Sequence, residues 1–158
     1  MLLQSLLRPA SIAVIGATPS SFIGRIALEN CRNHGYAGVV TPVNGRHAQV
    51  AGFDAVASLA DLDHVPDVAV VQVRTARVLN AVADAVAAGV RNFVIPGGGF
   101  TDSGEDATLL VEGLRKLQAE AGIQVVGPNC MGRPPGCRPR PEACASPRPA
   151  AWRPRLSR

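Results

Sequence analysis

The chain has 158 residues, long enough for one domain with a sizeable core and too short for two of ordinary size. Apolar residues make up 47% and charged residues 18%, the balance of a globular protein, and with only four Phe, one Tyr and one Trp the core must be aliphatic. The net charge of +4 sits in one place: residues 1–132 hold nine Lys or Arg against eleven Asp or Glu, and residues 133–158 hold seven Arg against one Glu. That distribution argues against a basic nucleic-acid face on the body of the chain.

No stretch approaches the about 18 consecutive apolar residues that suggest a membrane span. The start carries Leu2, Leu3, Leu6 and Leu7 without a basic residue ahead of them, and Arg8-Pro9 interrupts it before a secretory leader can form, so a cytoplasmic protein is expected. Cys31, Cys130, Cys137 and Cys144 are too few and too unevenly spaced for a disulfide scaffold, and reduced thiols are expected. His34, His47 and His64 show no partner pattern for catalysis or metal binding, and surface or capping roles are expected for them.

In chain order, residues 11–16 form a continuous apolar run closed by Gly16, which suits a strand buried on both faces of a parallel sheet. From about Ser21, Phe22, Ile23, Ile26, Ala27 and Cys31 recur at helical spacing, and Gly35 stands where a left-handed cap is wanted. A second strand follows over 38–43. Residues 44–66 are irregular, with a short helix near 58–62, until a third strand over 67–73. Thr75 is expected to cap a helix whose apolar face is Val78, Leu79, Val82, Ala85 and Val86 and which Gly89 closes. The fourth strand covers 92–95. A third helix runs from about 104 to 121 with Leu109, Leu110, Leu114 and Leu117 on one side; Gly122 ends it, and a fifth strand spans 123–126.

Strands alternating with helices require a parallel sheet with helices on both faces. The fold class is therefore α/β, a Rossmann-like doubly wound parallel sheet of about five strands in a single domain over 1–132. Helices closed by Gly35, Gly89 and Gly122 place those caps at the strands' amino-terminal edge. The ligand edge is then the opposite one, with the loops 16–24, 42–46, 72–75, 96–102 and 127–132. These loops are rich in Gly, Pro and Asn; small residues let backbone amides approach an anion, although tight turns alone also require glycine.

The first loop is not the dinucleotide fingerprint, because Thr18 and Ser21 stand in place of its second and third glycines. Strand two ends in Pro42-Val43-Asn44 with no carboxylate nearby for a ribose, and Arg46 follows, so an NAD-dependent oxidoreductase is a disfavoured alternative. No Gly-Lys-Ser/Thr occurs, which excludes a P-loop kinase or GTPase.

Arg8-Pro-Ala-Ser-Ile-Ala-Val-Ile-Gly-Ala-Thr18, Gly24, the Pro42-Val43-Asn44 ending, Gly97-Gly-Gly-Phe100 and Gly127-Pro-Asn-Cys-Met-Gly132 together carry a resemblance. Over roughly residues 5–132 the chain resembles the N-terminal CoA-binding domain of NDP-forming acyl-CoA synthetases, related to the succinyl-CoA ligase α subunit. The resemblance implies CoA as the cofactor, laid across the strand carboxyl ends. It implies that Gly16, Ala17, Thr18 and Ser21, with Gly24, line the first phosphate loop, and that Pro42, Val43 and Asn44 flank the adenine or ribose. Arg46 would meet a CoA phosphate, and Val73, Arg74, Gly98, Gly99 and Phe100 would border the pantetheine path. Where relatives often carry Glu, this chain has Asp102. Cys130 is expected to be a buried small hydrophobe.

In the synthetases the closing motif leads to a domain with a phosphorylated His, and usually to an ATP-grasp unit. No catalytic or metal-binding residue is expected in this chain, and its partners would be CoA or acyl-CoA and those ligase domains on another chain. A stand-alone nucleotide-sensing or acetyltransferase-associated regulatory module is the alternative. After Gly132 seven Pro and seven Arg in the last 26 residues leave almost no aliphatics to form a core, so 133–158 is expected to be disordered. Translation of a GC-rich gene out of frame explains that composition, and a genuine basic extension is the other reading; the coding DNA beyond codon 132 decides between them.

Overall fold

The computed structural model describes residues 2–97 and 105–128, the side chains of residues 2, 3 and 105–107 excepted. The expectations for Gly98, Gly99, Phe100, Asp102, Cys130 and the segment 133–158 lie outside the described residues.

The leucine-rich start, for which the sequence suggests no element, forms helix α1 (Leu2–Leu7), ended by the Pro9 restriction, with Leu6 buried. Strand β1 (Ser11–Ile15) follows. Helix α2 (Phe22–Asn33) begins at Ser21, whose Oγ accepts the Gly24 N–H at 3.2 Å, and Gly35 just beyond it is left-handed at φ +65°. Strand β2 is Val39–Val43.

The irregular stretch contains a hairpin that the sequence does not announce, with strands β3 (Gln49–Val50) and β4 (Phe53–Asp54). Its turn residues Ala51 and Gly52 both take positive φ, 51° and 74°, without the Asn or Asp that usually marks such a turn. Arg32 of α2 holds it instead: Nη2 donates to the Ala51 carbonyl at 2.6 Å, and the guanidinium carbon lies 4.6 Å from the Phe53 ring centroid. The expected short helix is a 3-10 turn, Leu59–Asp61, started by reciprocal bonds between Ser58 and Asp61.

Strand β5 (Val68–Val71) is buried at every position. Helix α3 (Thr75–Ala87) corrects one expectation: Arg74, extended at ψ 146°, occupies the cap position and makes no side-chain cap bond. The backbone is already helical at Thr75, so that residue opens the first turn. Strand β6 (Asn92–Val94), helix α4 (Glu105–Ala121) and strand β7 (Gln124–Val126) complete the alternation. Gly89 and Gly122 are left-handed at φ +99° and +64°, as the helix ends require.

The five longer strands form one all-parallel sheet in the order β2-β1-β5-β6-β7, a Rossmann-like α/β fold. The chain steps outward from β1 to β2 and then returns past β1 to β5, so the direction of winding reverses between β1 and β5. Alternation along the strands divides the core. Ala69, Val71, Phe93 and Ile95 pack with Val78, Val82 and Ala85 of α3 and Leu110 and Leu114 of α4. Ile12, Val14, Val68 and Val70 pack with Leu28 and Cys31 of α2, Leu6 of α1 and Val50 of the hairpin.

Polar bonds fasten the amino-terminal edge. Asp67 Oδ2 accepts the Ala10 and Ser11 N–H groups at 2.7 and 3.2 Å, Ser11 Oγ accepts the Asp67 N–H at 3.0 Å, and Asn92 Nδ2 donates to the Asp67 carbonyl at 2.8 Å. The Tyr36 hydroxyl donates to the Pro9 carbonyl at 2.8 Å. Burial there, with the Cys31 thiol and the Asp67 carboxylate nearby, pushes the Tyr36 phenol up to about 12.

Candidate functional site

At the opposite edge, beyond the carboxyl ends of β1, β2 and β5, lies an open cleft of about 1350 Å³. It sits at the reversal of winding, where loops diverging from neighbouring strands leave room for a ligand. Gly16 and Thr18 come from the loop after β1, Val43 to Arg46 from that after β2, and Gln72, Val73 and Arg74 from that after β5. Residues 57–60 of the crossover and one face of α3, with Arg77, Asn80 and Asp84, form the remaining wall.

Gly16 is the tightest point. Its φ of +82° suits glycine, and a Cβ there would lie 2.6 Å from the Gln72 carbonyl oxygen and 2.6 Å from Val73 Cγ1. The bases of the loops are tied into the sheet, Gly16 N–H donating to the Val43 carbonyl at 2.9 Å and Gln72 N–H to the Ile15 carbonyl at 2.8 Å. Asn44 joins two loops: Nδ2 donates to the Ala17 carbonyl at 2.6 Å, and Oδ1 accepts the Arg46 N–H at 2.8 Å. The Thr18 and Ser20 hydroxyls lie 3.2 Å apart.

The structure thus brings Gly16, Thr18, Val43, Asn44, Arg46, Val73 and Arg74 to one cleft. Ala17, Gly24 and Pro42 are buried, packed beneath the loops rather than along the cleft, and Ser21 spends its hydroxyl on the α2 cap. Gly98, Gly99 and Phe100 are outside the described residues. Sequence reasoning did not single out Gln72, Ser58, Arg77, Asn80 or Asp84. For Arg77 a signal existed, since it stands three residues after Arg74, one helical turn along. For Ser58 the Ser-x-x-Asp capping spacing was legible, but not that the crossover would carry it across the sheet to the cleft.

Arg46, Arg74 and Arg77 give the cleft a cationic wall, and among the described residues lining it Asp84 is the single carboxylate. No described carboxylate pairs with any of the three arginines. Among the described residues no His or Cys lines the cleft, and no group of three His, Cys, Asp or Glu side chains is placed to hold a metal ion. The chemistry on offer is the reception of an anionic small molecule. No helix of the described residues is long and apolar enough to cross a membrane.

A family model described as the CoA binding domain matches residues 10–133. The chain is 30% identical over 131 residues to the ADP-forming acetate–CoA ligase I of Archaeoglobus fulgidus, a match that covers 82% of this chain and 19% of that protein. It therefore spans about a fifth of that relative's length. Among solved structures it resembles the dinucleotide-forming acetyl-coenzyme A synthetase 1 of Ca. Korarchaeum cryptofilum in complex with phosphate and ADP. The TM-score is 0.75 at 33% identity, over 84% of this chain and 28% of that one. A conserved hypothetical protein from Pyrococcus furiosus matches with TM-score 0.58 at 26% identity, over 73% of this chain and 90% of its own. The chain belongs to the CoA binding domain family, and its homologues are the N-terminal region of ADP-forming acetyl-CoA synthetases.

Proposed function

We propose that the chain binds CoA or an acyl-CoA in this cleft, as the CoA-binding module of an NDP-forming acyl-CoA synthetase acting in the cytoplasm. The observation that carries the reading is the convergence of the loops after β1, β2 and β5, with three arginines that no described carboxylate pairs, on one cleft at the reversal of winding. The cationic wall fits a diphosphate, and Gly16 lets the loop after β1 lie close against Gln72 and Val73 at its base.

The loop after β1 receives the diphosphate, with backbone N–H groups, the Thr18 hydroxyl and the positive end of α2 facing it, while Ser21 caps that helix. Ala17, Gly24 and Pro42 keep the backbone close beneath it. Val43 and Asn44 flank the adenosine, and Arg46 meets a phosphate. Val73 and Arg74, with Gly98, Gly99 and Phe100, guide the pantetheine arm outward. CoA supplies the thiol on which the thioester forms. These residues orient it, while a phosphorylated His and an ATP-grasp unit perform the transfer.

Calorimetric titration with CoA, dephospho-CoA and NAD tests this. Tighter binding of CoA than of dephospho-CoA is expected, and preference for NAD overturns the reading. The small Pyrococcus furiosus protein, matched over 90% of its own length, favours one second reading, a stand-alone nucleotide-sensing module. A chain that binds acyl-CoA but forms no complex with phospho-His or ATP-grasp proteins supports that alternative.

A further inference from the structure

We propose that Gln72 reads the ligand: its side-chain amide, without an acceptor among the described residues of the free protein, donates to an acceptor oxygen of bound CoA. The proposal rests on the CoA reading above. Gln72 leaves β5 beside the reversal of winding and lines the cleft. Its Nε2 is buried and makes no hydrogen bond among the described residues. Nearly all buried donors in native proteins are paired, so an orphan calls for a cause.

The backbone offers no escape. Gln72 N–H is bonded to the Ile15 carbonyl at 2.8 Å, and the Gln72 carbonyl stands against Gly16, where a Cβ would approach to 2.6 Å. The backbone is thereby fixed at the junction of β1 and β5, and rotation about the side-chain torsions alone turns Nε2 toward the cleft. The other orphan among the described residues, Asn92 Oδ1, has a different setting. Its side chain lies at the amino-terminal edge, and its Nδ2 already bonds Ser5 Oγ at 3.1 Å and the Asp67 carbonyl at 2.8 Å.

The four residues before Gln72, from Val68 to Val71, are all apolar and buried, so an apolar side chain would extend the packing at no polar cost. An amide there is a destabilised donor awaiting a partner. The group a primary amide nitrogen satisfies is an oxygen acceptor. CoA carries two kinds in reach of a residue between the phosphate loop and the pantetheine path: diphosphate oxygens and pantetheine carbonyls.

Gln72→Met, made in the full chain, keeps the length and removes the donor. It is expected to melt higher by about 3 °C, because an unpaired buried amide is gone. It should also bind CoA about tenfold more weakly, because a hydrogen bond to the ligand is lost. Gln72→Glu keeps the shape and turns the donor into an acceptor, and is expected to weaken CoA binding by more than about tenfold. Parallel titrations with ADP and with pantetheine locate the oxygen: a loss for ADP assigns the diphosphate, a loss for pantetheine the carbonyl. A lower melting point for Gln72→Met, or CoA affinity within about twofold of the unmodified chain for either variant, overturns the assignment. Failure of the unmodified chain to bind CoA instead sinks the proposed function.

Discussion

Replacing Gly16 by Ala tests the geometry of the cleft at its tightest point. The new Cβ would sit 2.6 Å from both the Gln72 carbonyl oxygen and Val73 Cγ1, on a backbone held at φ +82°. Holding a residue with a Cβ in the left-handed region costs about 1–2 kcal/mol. Ordinary carbon contacts lie at about 3.5–4.0 Å, so the neighbours must retreat by about 1 Å, and overpacking of that kind costs about 1–3 kcal/mol. Destabilisation of about 2–5 kcal/mol is expected. Gly35→Ala is the control, because its φ is +65° with nothing within 4 Å of the added Cβ, so it bears the backbone cost alone. Both variants stiffen the unfolded chain equally, and that contribution cancels in the comparison. Urea denaturation should show Gly16→Ala less stable than Gly35→Ala by at least about 1 kcal/mol. Titration should show CoA binding weakened in the former only. Equal stability of the two variants, or undiminished CoA binding by Gly16→Ala, refutes the reasoning.

Arg46→Ala is expected to weaken CoA binding about tenfold and to flatten its dependence on salt, measured by titration across a series of NaCl concentrations; an unchanged salt slope counts against a phosphate contact. Asn44→Ala removes the bonds to the Ala17 carbonyl and the Arg46 N–H and should cost about 1–3 kcal/mol in urea unfolding. Arg32→Met, which loses the hairpin carbonyl bond and the Phe53 contact at an exposed position, should cost about 1 kcal/mol by the same measurement. Tyr36 is the single tyrosine, so its phenolate absorbance is unobscured and should half-titrate near pH 12 rather than 10. The folded pKa is raised, so the stability it contributes is present below pH 10 and is lost as pH rises from 10 through 12, a loss that Tyr36→Phe abolishes.

Much of the scaffold was legible because it is local. Unbroken apolar runs such as 68–71 mark strands buried on both faces, and Gly35, Gly89 and Gly122 mark helix ends because the left-handed region costs glycine little. From those caps alone the edge that carries the cleft followed. The hairpin of β3 and β4 was not legible, because Ala51 enters the left-handed region on the strength of a bond from Arg32, 19 residues earlier. The position of Arg74 ahead of α3 and the burial of Ala17 and Pro42 were likewise hidden, since they depend on how each loop leaves a strand and not on residue type.

By itself the sequence determined the α/β class, the succession of strands and helices, and the edge at which the cleft opens, because these follow from short-range backbone preferences and the periodicity of apolar side chains. Only the tertiary structure decided which side chains share the cleft. Arg77, Asn80 and Asp84 join Arg46 because the crossover and α3 flank the same opening, and Gln72 Nε2, where β5 leaves the sheet, has no partner among the described residues. Those juxtapositions are set by packing between segments distant in the chain, for which neighbouring residues carry no signal.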